Sequence, residues 1–356
     1  MSYSFRPLII SLLTVASSLL IPFNGFAQNA MSVMVSIVPQ QYVLEKIAGE
    51  TVDVSVMVNP GASPATYEPK PAQLAALSKA SMYFSIGVPF EAAWLERITS
   101  ANKHLTMVAM DSHISKIAMA AHSHGPEETG NAKHDEHGEH DGHDHDTHHH
   151  SHADVHHADK EMHAGHAEHH HDADHKEQEH HRGGHADHHH EDGLDPHVWL
   201  SPIHMKTMAR TTAEALSKAA PQHADLYAAN LAAFERELTL LETTLHGIFG
   251  DTPAEKRAFM IFHPSWGYFA QAYGLQQIPI ELEGKEPSPR TMQQLVEAAK
   301  EHNISVVFVA PQFSQKSATA IARNIGGTVV TADPLAKDWA DNLVKVAHAF
   351  TASFRK

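Results

Sequence analysis

The chain contains no cysteine. Disulfide frameworks, thiolate metal centres and cysteine nucleophiles are therefore excluded. Basic side chains are also scarce, 26 against 42 acidic ones, for a formal net charge of −16 at pH 7. A surface that grips nucleic acid or an anionic membrane needs clustered Lys and Arg, so neither partner is expected. Long apolar runs are missing as well. The best, Leu8 to Pro22, is shorter than the ~20 residues of a helical span, so no direct membrane insertion is expected. No HExxH helix occurs in the segments that read as ordered, and a hydrolytic zinc enzyme is not expected.

What the chain has in excess is histidine, 34 in 356 residues. Twenty-five of these lie between His122 and His190, together with 17 Asp or Glu and only four Lys or Arg. The rest of the chain is nearly neutral, at about −3, and keeps nine histidines. The tract's apolar residues are mostly Ala, so it has little to bury against its ordering entropy and is expected to stay disordered. Neutral imidazole ligates zinc, nickel and copper. Runs such as His148-His149-His150 and His188-His189-His190 would serve as accessory, interchangeable metal sites, a role a plain charged spacer would not need.

Residues 1–27 read as a secretory signal: Arg6 in the n-region, the apolar run after it, and Gly25-Phe26-Ala27 as a small-x-small cleavage site. Cleavage after Ala27 would free the chain into an exported compartment, most simply a periplasm. Beyond it, β-branched runs at Val33–Val38, Val52–Val58 and Met82–Ile86 alternate with helical runs at Gln41–Ala48, Pro71–Lys79 and Pro89–Ser100. Ile203–Phe249 reads as helix broken only at Pro221, and Gln222–Ile248 alone spans about 40 Å of helix. Alternation returns with strands ending near Phe262 and at Gln277–Leu282, Ser305–Val309 and Thr328–Thr331. The expected fold is α/β, with two lobes of parallel sheet flanked by helices and joined by one long helix. The expected boundaries are an N-terminal lobe over 28–221, carrying 122–190 as a His-rich insertion, a linking helix over 222–249 and a C-terminal lobe over 250–356.

Three segments stand at strand ends, where open α/β sheets bind ligands. Asp195-Pro196-His197-Val198-Trp199 follows the tract, Phe262-His263-Pro264 ends a β-run, and Thr331-Ala332-Asp333-Pro334 ends another. Each alone is an ordinary loop; together, two His and one Asp make a reasonable divalent-cation set.

The mature chain resembles the zinc-type periplasmic metal-binding proteins of ABC importers, the ZnuA-like or cluster A-I family. The resemblance rests on Val58-Asn59-Pro60-Gly61-Ala62-Ser63-Pro64, Tyr67-Glu68-Pro69-Lys70-Pro71, the acidic His-rich insertion and Asp195 to Pro202. It continues through His263 with Tyr268-Phe269, Glu283 to Pro289, Pro311 to Ser314 and Asp333-Pro334-Leu335. It implies two α/β lobes joined by a rigid helix and capture of Zn2+ between them by His197, His263 and Asp333. It further implies delivery to a permease for high-affinity zinc uptake by a monomer without enzymatic activity, with the His-rich loop as a scavenging arm. One position departs: the family carries a histidine after this Gly-x-x-Pro turn, and here Ala65 stands there. Water, or an imidazole of the tract, would then complete the site. The alternative is a periplasmic zinc buffer or chaperone no longer coupled to a permease. Because imidazole titrates near pH ~6.5 and must be neutral to ligate, the intact protein should release most of its zinc between about pH 7.5 and about pH 5. Invariant zinc stoichiometry by mass spectrometry over that range would contradict the role of the tract.

Overall fold

The computed structural model describes residues 30–120, 193–281 and 285–354. The signal segment 1–27, the tract 122–190 with His148, His149, His150, His188, His189 and His190, and Glu283 with Gly284 lie outside them.

Short, largely apolar runs form the strands, of which β5 and β7 of the second sheet are buried throughout. The first sheet holds β1 (Met31–Val35), β2 (Val52–Val56), β3 (Met82–Ser85) and β4 (Thr106–Ala109), with α1 (Val38–Ala48), α2 (Pro71–Leu77) and α3 (Pro89–Ala101) between them. Two helices follow, α4 (Pro202–Ala219) and α5 (Ala224–Gly250). The second sheet holds β5 (Ala258–Ile261), β6 (Gln276–Pro279), β7 (Val306–Val309) and β8 (Thr328–Thr331). Its helices are α6 (Gly267–Tyr273), α7 (Pro289–Glu301), α8 (Gln315–Asn324) and α9 (Trp339–Phe354). All pairings are parallel, and the orders β2-β1-β3-β4 and β6-β5-β7-β8 are the same topology used twice. The α/β fold of two parallel sheets flanked by helices agrees with the sequence expectation.

Local chemistry moves some boundaries. The apolar run expected as strand through Val38 ends at Val35, because the Gln40 side chain accepts from the backbone N–H of Ser36 and of Ile37, at 2.9 and 3.0 Å. Those donors are withdrawn from the ladder, and α1 starts with Pro39 in its first turn. The break expected at Pro221 is a single 3₁₀ turn, Pro221–His223, between α4 and α5. Edge strand β4 was not expected from its mixed run Thr-Met-Val-Ala.

Helix α5 has 27 residues, about 40 Å. Near its start Asn230 Nδ2 donates to Ile47 O at 2.9 Å, and the Tyr227 and Thr51 hydroxyls share a hydrogen bond. Near its end Arg257 donates to Phe249 O at 2.8 Å. The buried Tyr227, Phe234, Leu238, Leu245 and Phe249 carry one continuous apolar core from the first sheet to the second. A smaller core lies on the other face of the second sheet, around Met260, Val307 and Ile321.

The chain on either side of the tract meets itself. Met119 N donates to Gly193 O and Asp195 N to Ile117 O, both at 2.8 Å, around an antiparallel bridge between Ala118 and Leu194.

Glu91, in the first turn of α3, is only 4% exposed. It accepts from the backbone N–H of Ile86 and Gly87 and from the Ser36 hydroxyl, which also meets the Tyr83 hydroxyl. Burial, reinforced by the Asp111 charge, outweighs those donors and pushes the carboxyl up to about 7. The folded state therefore holds this proton more tightly than the unfolded chain does. Its contribution to stability falls as pH rises from about 4.5 to about 7, by about 3 kcal/mol, and is constant above that. Glu91→Gln should flatten that part of the profile, so that the variant gains stability relative to the parent between pH ~5 and pH ~7.5 in thermal melts. A constant difference across that range would show that Glu91 does not titrate there.

Candidate metal centre

The second sheet reverses its strand order between β5 and β7, the position where a crevice opens at the carboxyl ends of strands. His263 sits two residues past the end of β5 and so at that mouth. His197 arrives from the other side, as the residue before the 3₁₀ turn Val198–Leu200 that leads into α4. The two rings lie with centroids 5.3 Å apart and planes at 70°.

Each imidazole is held from behind by a buried carboxylate. His197 Nδ1 meets Asp195 Oδ1 at 2.7 Å, and the His197 backbone N–H donates to the same oxygen at 2.9 Å. His263 Nδ1 meets Glu281 Oε1 at 2.8 Å. Asp195 is 1% and Glu281 5% exposed, so both act as acceptors in a dry setting. A carboxylate at Nδ1 fixes the proton there and leaves the Nε2 lone pair for a ligand, the arrangement that backs most metal-bound histidines. Burial lowers the affinity of His197 for a proton, against the opposing pull of Asp195, and so favours the neutral, ligating ring.

The backing carboxylates are in turn positioned. Tyr268 donates its hydroxyl to Asp195 O at 2.8 Å and accepts from Ile117 N at 3.1 Å. At Gly267 a side chain is excluded, because a Cβ there would fall 2.5 Å from Asp195 Oδ2. Phe313 stacks on His263 at 4.7 Å, and Trp199 lies 5.1 Å from His197.

Around the pair is a cleft with about 500 Å³ of empty space, part of it open to solvent. Ser63, Pro64 and Ala65 line it from the first half of the chain; Gln312, Phe313, Pro334 and Leu335 line it from the second. Of the residues expected from sequence, His197 and His263 are brought together. Asp333 follows β8, with Oδ1 accepting from Gln312 Nε2 at 3.0 Å and from Leu335 N at 2.9 Å. Among the described residues no three His, Asp or Glu side chains are grouped closely enough to hold a metal ion, so Asp333 is not gathered with the pair. Sequence reasoning missed Glu281 and passed over Asp195 as a partner. The second had a signal, since an Asp two residues before a His can reach back to its backbone N–H. The first had none, because only the β5–β6 pairing brings its strand end beside His263.

Two imidazoles on one tetrahedral zinc, with Zn–N of about 2.0–2.1 Å, would have centroids about 5.2 Å apart. The observed pair is already at that spacing.

Comparison with known proteins bears on the same architecture. The profile of the family described as "Zinc-uptake complex component A periplasmic" matches residues 33–353. The "High-affinity zinc uptake system protein ZnuA" of Yersinia pestis is 28% identical over 325 residues, covering 90% of this chain and 88% of that one. A crystal structure of ZnuA aligns with a TM-score of 0.69 and 38% identity, over 92% of this chain and all of that one. A zinc-bound ZnuA lacking its residues 138–173 aligns with the same score and identity, over 91% and 98%. The chain therefore belongs to the zinc-uptake complex component A family, whose members are periplasmic zinc-binding solute-binding proteins and not enzymes.

Proposed function

We propose that this protein captures Zn2+ in the cleft and delivers it to the permease of an ABC importer for high-affinity uptake. The observation that carries the reading is the pair of carboxylate-backed imidazoles, His197 and His263, already at the spacing of two ligands on one tetrahedral ion. Asp333 is the third donor of the set, its carboxylate drawn onto the ion from a position where it is not grouped with the pair. In this reading the N-terminal segment is removed after Ala27, and the monomer works in the periplasm as lobes 28–221 and 250–356 joined by helix 222–249. The tract 122–190 is an accessory zinc-collecting segment, His148–His150 and His188–His190 among its sites. A ligand set dominated by imidazole favours zinc over manganese. The name of the Yersinia pestis relative supports uptake as the purpose.

The cleft and the tract are separable, because the hydrogen bonds between Ile117–Met119 and Gly193–Asp195 close the chain ahead of the deletion. A chain lacking 122–190 is expected to bind one zinc by native mass spectrometry, and the same chain with His197→Ala or His263→Ala none. Retention of that zinc by both variants would overturn the assignment. Asp195→Asn and Glu281→Gln keep the ligands but weaken their backing, and should each lower cleft affinity by about 10-fold to 100-fold. In calorimetry, an unchanged affinity in both would mean that the carboxylates do not serve the metal.

A further inference from the structure

The cleft is larger and less polar than a bare ion requires. The non-histidine residues that line it, Pro64, Ala65, Val88, Pro89, Met119 and Phe313 among them, are largely apolar. Donors, by contrast, run short. Zinc takes four or five ligands, and among the described residues His197, His263 and Asp333 supply three at most. On the Ser63–Ala65 wall the one side-chain donor atom is the Ser63 hydroxyl, which accepts from Ala65 N at 3.3 Å. A lone water at the remaining position would have few of the polar partners that ordered waters need. On the other wall, Gln312 Oε1 is buried with no hydrogen-bond partner among the described residues.

We infer that the cleft takes its metal as a complex with a small imidazole-bearing chelator of the amino-acid class, which fills the space beside Ala65 and completes the coordination. This rests on His197 and His263 holding the ion, as proposed above. Free histidine meets the demands of the site. Its imidazole supplies the nitrogen donor that the Ala65 wall lacks, and its neutral amine, after losing a proton to solvent, can raise zinc to five-coordination. Its ring and methylene bury against Pro64, Val88 and Met119, and an N–H from the chelator gives Gln312 Oε1 a partner. Ala65 is exposed, so both wider and donor-bearing side chains are accommodated there without disturbing the core.

The test uses the full chain, loaded with one equivalent of zinc in the presence of isotopically labelled L-histidine, desalted, and counted for both metal and label. The parent is expected to retain about one more histidine per chain than Ala65→His, whose own imidazole takes the position, and than Ala65→Leu, which fills the space without a donor. Retention by the tract is common to all three chains and cancels. The double variant His197→Ala/His263→Ala should lose that same histidine. Equal label in the parent and both Ala65 variants, or none in any, would overturn the inference. If the double variant loses cleft zinc while the parent holds no label, only the chelated form of the cargo is wrong. If a chain lacking 122–190 keeps its one zinc with both histidines replaced, the assignment of the cleft itself fails.

Discussion

A short ladder of tryptophan hydrogen bonds ties the two halves of the molecule together at the site. Trp199 donates its indole N–H to Pro334 O at 2.8 Å, and Trp339 donates to Trp199 O at 2.9 Å, with both rings 1% exposed. The His197 loop is thereby fastened to the loop after β8 and to the start of α9, both parts of the second half. Tyr268 adds a third tie through Asp195 O. Each buried hydrogen bond contributes only about 1 kcal/mol net, but breaking one strands a buried donor at a larger cost. Two histidines 66 residues apart can hold a 5.3 Å spacing because their loops share this platform. Helix α5, about 40 Å long, carries a single apolar core from the first sheet to the second.

The electrostatics of the site follow from dryness. Removing His197 from water disfavours its charged form, whereas the adjacent Asp195 carboxylate favours it, and burial wins. A neutral imidazole with an anion behind it is a stronger electron donor than a free ring, and it need not shed a proton before binding. Glu91 shows the opposite use of burial. There the carboxyl itself is desolvated, which favours its neutral form, at the start of α3 beside Val88 and Pro89 of the cleft wall.

Much of the fold was legible because its strands are short apolar runs separated by helices, several of which open at proline. Pro89, Pro202 and Pro289 open helices where a missing N–H costs nothing, and Ser201 and Ser288 cap two of them. What escaped was either of mixed composition, as with β4, or set by a side chain competing for backbone donors, as with Gln40. The site divided in the same way. His197 and His263 were conspicuous beside Pro196 and Pro264, and Asp195 stands two residues before His197, but the partnership of His263 with Glu281 depends on register and on a crossover. Sequence spacing does not encode these. Asp333 was equally conspicuous, yet Gln312 and the Leu335 N–H occupy one of its oxygens, a competition visible only in three dimensions.

The hydrogen bonds joining Ile117–Met119 to Gly193–Asp195 make the insertion an appendix whose two ends leave and return at one point. The fold reads only those ends and not the number of residues between them. Closing a loop twice as long costs about 0.6 kcal/mol more. The number of histidines in that segment and the geometry of the His197–His263 pair are therefore free to change on separate schedules.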